Sequence, residues 1–321
     1  MVVIDQVEVE RGACQGAKSI LHSGFWFICM LLGSSASAQQ LEPRAHWPAP
    51  VGTNSVVVGY GYASGDNQTD PTLPLVDVNS KLHSLNVSYY RALNFFGRTA
   101  NFTVAGPYVS GDATGTIEGM PVEAQPSGLA DPFFRFAVNL RGGPAMEMKE
   151  FQDFRQNPKT LVGVSLRVQP PLGQYDPNRL LNLGTNRWAF KPQIGVVYPA
   201  HRRWLLEFHL GGWFFTDNED VLGRTRSQEP VADGEFHLVH RFRAGFWASL
   251  DATFFYGGRT SVDGSEQSNV QRNSRLGGTI VVPIKNGHVV KFGFSSGILV
   301  SFGGDNNNVA VAYQYLWNSR Q

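Results

Sequence analysis

The sequence predicts an all-β protein: a transmembrane, antiparallel up-and-down β-barrel of about 12 strands, preceded by a cleavable signal peptide. Three observations predict it. An export leader opens the chain. Period-two alternation of apolar and polar residues recurs in segments about ten residues long, the length a tilted strand needs to cross a bilayer. Very short connections interleave with long ones, as in a barrel with one periplasmic and one extracellular end.

The leader is legible from its parts. Lys18 precedes an apolar run from Ile20 to Gly33, and Ala36-Ser37-Ala38 supplies a small-x-small cleavage signal. The run is shorter than the about 20 residues a spanning helix requires. Cleavage is therefore expected after Ala38, leaving 39–321 as one barrel domain. Asp5, Glu8 and Glu10 are atypical of such leaders and suit a translation start downstream of Met1. Cys14 and Cys29, the only cysteines, both precede the cut, so the mature chain has neither disulfide nor thiol ligand.

Charge removes other classes. The formal net charge is +1, and no basic stripe runs along the chain, so no nucleic-acid partner is expected. After Ala38 no apolar stretch has the length of a spanning helix. In lipid only helices and closed barrels satisfy every backbone polar group, so a membrane-spanning mature chain must use strands.

The alternation is clearest between Trp204 and Phe214. Trp204, Leu206, Phe208, Leu210 and Phe214 share one face, and Glu207, His209 and Gly211 share the other. In 290–300, Val290, Phe292, Phe294, Ile298 and Val300 oppose Lys291, Gly293, Ser295 and Gly297. In 134–141, Phe134, Phe136, Val138 and Leu140 oppose Arg135, Ala137, Asn139 and Arg141. Read this way, the strands lie near 54–63, 82–91, 98–108, 130–141, 160–169, 187–198, 203–215, 234–243, 245–256, 272–283, 288–301 and 308–318. The turns at 199–202, 243–245 and 284–287 are short, and Asn286-Gly287 is a strong hairpin dipeptide. Long loops are expected near 64–80, 109–128, 170–186, 216–232 and 257–271. The connection 142–159 breaks the alternation and is expected to hold a short helix around Met146 to Phe154.

If the apolar faces meet outer-membrane lipid, the opposite faces line a lumen. That face carries Arg135, Arg141, Arg167, Lys191, Glu207, His209, Asp251, Arg275 and Lys291, charges too costly for a dry core. Trp188, Tyr198, Trp204, Tyr256 and Trp317 stand at strand ends, as interfacial girdles require. In the last strand Val309, Val311, Tyr313, Tyr315 and Trp317 share a face, the aromatic alternation by which the barrel-assembly machinery reads such strands during biogenesis.

Two stretches resemble a known family. They are Pro171-Leu172-Gly173-Gln174-Tyr175-Asp176 with Asn182-Leu183-Gly184-Thr185-Asn186-Arg187-Trp188, and Asp131-Pro132 with Arg135, Ala137, Val138, Asn139, Leu140 and Gly143-Pro144-Ala145. The chain is similar to the outer-membrane family named for the meta-pathway of phenol degradation. The resemblance implies a transporter-like barrel in the bacterial outer membrane, with small hydrophobic or aromatic solutes as its cargo, and no catalytic residues. Tyr175, Asp176, Asn182, Asn186 and Arg187 are then candidates for an entrance loop. The alternatives are a non-transporting structural barrel and, less favoured, a barrel-type lipid hydrolase using Ser249, His209 and Asp251, which no elbow motif supports. No cofactor is expected and no metal ligands are assigned. His237 and His240 fall on opposite strand faces, and Asp305 to Asn308 reads as an Asx-rich turn rather than a cation site.

Overall fold

The computed structural model describes residues 41–68, 75–117, 120–178 and 182–319. The proposed leader, 1–38, lies outside them. Twelve strands form a closed ring: β1 (Thr53–Gln68), β2 (Leu75–Phe95), β3 (Arg98–Ile117), β4 (Phe133–Arg141), β5 (Leu161–Gln169), β6 (Ala189–His201), β7 (Trp204–Phe215), β8 (Val231–Arg243), β9 (Phe246–Gly257), β10 (Gln271–Lys285), β11 (His288–Leu299) and β12 (Gly303–Asn318). Every strand pairs antiparallel with its sequence neighbours, and β1 pairs with β12 from Thr53↔Asn318 to Gln68↔Gly303 to close the barrel. Within the ring every strand has a paired neighbour on each side, as a strand structure in hydrocarbon requires.

The outer surface explains why the ring belongs in a membrane. Leu85, Val87, Phe208, Leu210, Leu250, Phe254, Leu276, Ile280, Phe292, Phe294 and Val309 are all exposed, and they form a band around the barrel. Keeping one such side chain in water forfeits about 1.5–3 kcal/mol relative to burial. A contiguous belt of them is stable only against lipid. Trp188 and Tyr256 are exposed at one rim; Tyr198, Trp204 and Trp317 are exposed at the other. The protein is thus an outer-membrane barrel with two aromatic girdles.

Turn chemistry sets the orientation. β2 and β3 are joined through Phe96 and Gly97, and β10 and β11 through Asn286 and Gly287, all four with positive φ (49°, 77°, 45° and 84°). That is the two-residue turn whose twist matches the flanking strands. β6–β7 and β8–β9 are equally short at this end, which is therefore periplasmic. Ser319 donates its N–H to Gly52 O at 3.0 Å, so the start of β1 and the end of β12 lie there too. The long periplasmic connection carries helix α1 (Met148–Gln156), capped by reciprocal bonds between Glu147 and Glu150.

The strands depart from the sequence expectation in length. β1, β2, β3 and β12 run 16, 21, 20 and 16 residues, whereas a tilted crossing needs about 9–11. Most of the loops expected at 64–80 and 109–128 are strand, though 69–74 lies outside the described residues. Pairing continues through Asp66↔Asp305 and Lys81↔Asp112, where neither face touches lipid and the apolar half of the alternation stops. The segment Asp305 to Asn308 is likewise strand, not a turn. On the β3 side, Met120–Ala124 and Ser127–Leu129 add further pairing above the membrane.

Candidate functional site

The lumen is layered by the inward residues of each strand. At the periplasmic end Leu161, Val197, Leu205, Val239, Trp247, Val281 and Val289 form an apolar tier. At the extracellular end Ala189, Trp213, Val231 and Phe255 form another, with Phe215 packed against it. Between them lies a charged tier. Register places Arg135, Arg167 and Lys191 side by side on β4, β5 and β6. Like charges opposite one another repel, so this basic ladder needs counter-charges. Asp233 and Glu235 supply them to Lys191 Nζ at 2.9 and 3.0 Å.

The remaining counter-charge comes from the chain's own N-terminal segment. Residues 41–52 enter the barrel from the periplasmic end. Glu42 sits 2.8 Å from Arg167 and 4.0 Å from Arg135. Burial alone would raise its carboxyl, but Arg167, Arg135 and Lys191 hold it below the ordinary carboxylate range. The Arg44 N–H donates to Glu207 Oε2 at 2.7 Å, and its guanidinium lies 4.9 Å from the Trp47 ring centre and 5.1 Å from that of Trp247. Trp47 fills the periplasmic apolar tier and packs on Phe154 of α1. The His46 ring occupies space left by paired glycines: a Cβ on Gly163 would come within 2.5 Å of it, and one on Gly195 would overlap it. Segment 41–52 is a plug shaped to the wall.

The sequence-derived lumen residues fall as follows. Arg135, Arg167, Lys191, Glu207, His209, Asp251 and Arg275 are buried inside, and Lys291 is half-buried inside. Arg275 reaches Asn306 O at 2.5 Å. Arg141 is a correction. A register shift between Asn139 and Arg141 breaks the alternation and leaves Arg141 exposed at the periplasmic rim, beside Lys159 and Thr160. Glu42, His46, Asp233, Glu235 and His237 belong to the tier but are absent from the sequence-derived set. Alternation in β8 puts Asp233, Glu235 and His237 on one face and could have found them. Glu42 and His46 sit in a segment with no periodicity at all.

The hydrolase candidates do not assemble. Ser249 donates to Asp251 Oδ2 at 3.0 Å, and the histidine bonded to Asp251 is His237, not His209. Ser249 is thus bonded to the acid of the set and not to a histidine base.

The entrance-loop residues form a tight knot. Asp176 N donates to Asn182 Oδ1 at 2.7 Å, and Asn182 Nδ2 returns to Asp176 O at 2.9 Å. Tyr175 OH donates to Asp220 O at 2.7 Å, and Asn186 Nδ2 to Asn218 Oδ1 at 2.9 Å. Arg187 is buried over Phe215, 4.3 Å from the ring centre, and donates to Gln228 Oε1 at 2.5 Å. The organiser is Asp131. Its carboxylate accepts from Gly173 N (2.7 Å), Thr185 N (2.8 Å) and Thr185 Oγ1 (2.7 Å). The two separated motifs, at 131 and at 171–188, are thus one structural unit. Gly184 lies so close to Gly173 that a Cβ would come within 2.7 Å of its backbone. Asp131→Ala is expected to orphan three donors, at about 1.5–3 kcal/mol for a charged acceptor. Limited proteolysis should then cut the 170–188 loop while the barrel keeps its heat-modifiable mobility; an uncut loop would show that Asp131 does not organise it.

Residues 62–317 match the family profile described as "Putative MetA-pathway of phenol degradation". Among solved structures, an outer membrane channel from Pseudomonas putida F1 superposes with a TM-score of 0.72 at 15% identity, covering 87% of this chain and 100% of that one. The transport unit of the autotransporter AIDA-I from Escherichia coli scores 0.49 at 10% identity, covering 93% and 98%. The NanC porin scores 0.46 at 7% identity, covering 81% and 98%. No curated protein sequence matches the chain.

Proposed function

The chain belongs to the MetA-pathway phenol-degradation family, and from that premise we propose that it is a channel for small hydrophobic or aromatic solutes, closed in this conformation by its own N-terminal segment. One observation carries the reading. Residues 42–47 occupy the charged and periplasmic tiers of the lumen, held there by ion pairs, a hydrogen bond and packing, and they run on to the wall at Thr53. Such a filling can leave without breaking the barrel ladder. The extracellular tier supports the choice of solute. Trp213, Phe215 and Phe255 pack together there, with the Arg187 guanidinium over Phe215, a surrounding that would suit an aromatic ring once the tier parts. The outer belt takes outer-membrane lipid as its partner, and β12 offers its aromatic alternation to the barrel-assembly machinery. The barrel acts without catalysis.

The paired charges of the middle tier favour a second reading, a structural barrel whose lumen never opens. Uptake separates the two. Cells with an intact lipopolysaccharide outer membrane should take up labelled toluene faster when they carry this protein than when they carry a variant with Trp213→Ala and Phe215→Ala. Equal uptake by cells with and without the protein would leave the structural reading standing.

A further inference from the structure

Three side chains converge in the charged tier where β7, β8 and β9 meet. The register sets Glu235 opposite His209, and His237 opposite both Glu207 and Asp251. One ligand atom from each of His209, Glu235 and His237 lies within 4.8 Å of the others. Glu235 Oε2 is 3.3 Å from His237 Nε2 and 3.8 Å from His209 Nδ1. Bonds of about 2.0–2.2 Å to a tetrahedral zinc ion put its ligand atoms about 3.3–3.6 Å apart, so the two Glu235 distances already nearly fit and the two imidazoles must draw together to complete the set.

The surroundings hold these three side chains in place from behind. His237 Nδ1 is 2.8 Å from Asp251 Oδ1. That is the carboxylate–histidine arrangement found behind metal ligands, and it leaves Nε2, 3.3 Å from Glu235 Oε2, to share either a proton or a metal ion with that carboxylate. Asp251 is itself held by Ser249 at 3.0 Å and Thr279 at 3.2 Å. Glu235 Oε1 accepts from Lys191 Nζ at 3.0 Å and from Gln193 Nε2 at 2.9 Å, which aims Oε2 at the histidines. His209 is 3% exposed, and neither ring nitrogen has a hydrogen-bond partner among the described residues. Its Nε2 stands 3.9 Å from Glu207. His46 of the plug is 1% exposed, is equally unpartnered, and packs edge-on to His209 with ring centres 5.2 Å apart. Buried polar atoms in this state are costly unless something binds them.

We propose that His209, Glu235 and His237 form a binding site for one divalent transition-metal ion of the zinc class, at the contact between plug and wall. Two imidazoles and a carboxylate suit Zn²⁺ and its neighbours rather than calcium or magnesium. Asp251 is a positioning residue that orients His237. The site stands independently of whether the barrel conducts.

The test uses the full-length mature protein, folded in detergent, stripped with chelator and titrated with Zn²⁺ against a competing chelator. Zn²⁺ is also supplied during refolding from urea, so that slow exchange into a buried site is not scored as no site. Wild type should bind one equivalent, and Co²⁺ in its place should give visible d–d bands shifted from those of the aqueous ion. His209→Gln and His237→Gln should each abolish both signals. Asp251→Asn should lower affinity by about 10–100-fold. Heat-modifiable mobility checks that each variant is a folded barrel. If His237→Gln fails that check, His209→Gln and the Co²⁺ spectrum decide. Less than one equivalent in wild type under both loading regimes, or unchanged binding in folded His209→Gln, would overturn the site and leave the cluster a proton-sharing network.

Discussion

Deleting residues 41–50 is expected to turn an electrically quiet barrel into one with resolved single-channel steps in planar bilayers. The barrel should survive the deletion, because its closure rests on strand ladders that run from Thr53↔Asn318 onward without using the plug. The exposed wall should tolerate it too. Arg135 and Arg167 lose Glu42, but water then enters and solvates them, whereas an unpaired charge left buried would cost several kcal/mol. The deletion removes Glu42 and Arg44 together and leaves the net charge unchanged, but it bares the Arg135 and Arg167 pair that Glu42 had faced, so a slight preference for anions is expected. Glu42→Gln is the milder counterpart. It weakens an anchor of about 3–5 kcal/mol but keeps Trp47 in the periplasmic apolar tier, so brief openings rather than a permanent pore are expected. A folded deletion variant that stays silent would show that the lumen is blocked by the wall itself.

The barrel was legible in the sequence wherever one strand face meets hydrocarbon. The alternation Trp204, Leu206, Phe208, Leu210, Phe214 against Glu207, His209, Gly211 is the lipid–lumen boundary written in residues, and all twelve strands follow from segments of that kind. It failed above the membrane. Beyond Tyr62 and Tyr108 the strands continue in water on both faces, and Ser64, Asp66, Ser110 and Asp112 carry no apolar signal although their backbones remain paired. A pattern generated by lipid contact cannot report pairing where there is no lipid. Arg141 failed for a different reason: one irregular step after Asn139 turned it away from the lumen, and nothing in the spacing announces it.

The candidate site was legible only in part, because it is built across strands. Glu207 and His209 emerge from the alternation of one strand, but their partners Glu235, His237 and Asp251 are set by register with β8 and β9. Reading His237 against His240 along a single strand compares residues that point apart, and so misses the neighbour 5.1 Å away ring to ring, His209. The plug was invisible for a further reason. Residues 41–52 form neither strand nor helix, and their meaning lies in complementarity: Glu42 for a basic ladder on three strands, His46 for a glycine gap, Trp47 for an apolar tier. In the sequence the motifs at 131 and 171–188 are linked only by a family resemblance; the three bonds accepted by Asp131 supply the physical cause.

Leu250→Arg is expected to impair insertion by about 2–4 kcal/mol, the cost of a cation on the lipid face near the bilayer midplane. Leu250 lies at the centre of β9, outward and exposed, opposite Leu238 and Gly278. Ile284→Arg is the matched control. Ile284 is equally outward but stands beside Lys285 at the periplasmic end of β10, where the same charge costs about 0–1 kcal/mol because the side chain reaches the headgroups. Urea titration of refolding into lipid vesicles, followed by heat-modifiable mobility, measures both. The contrast carries the argument, since any disturbance from arginine's bulk is common to the two sites and only depth differs. If Leu250→Arg and Ile284→Arg destabilise equally, the outer belt does not sense a depth gradient, and the assignment of that face to lipid falls with it.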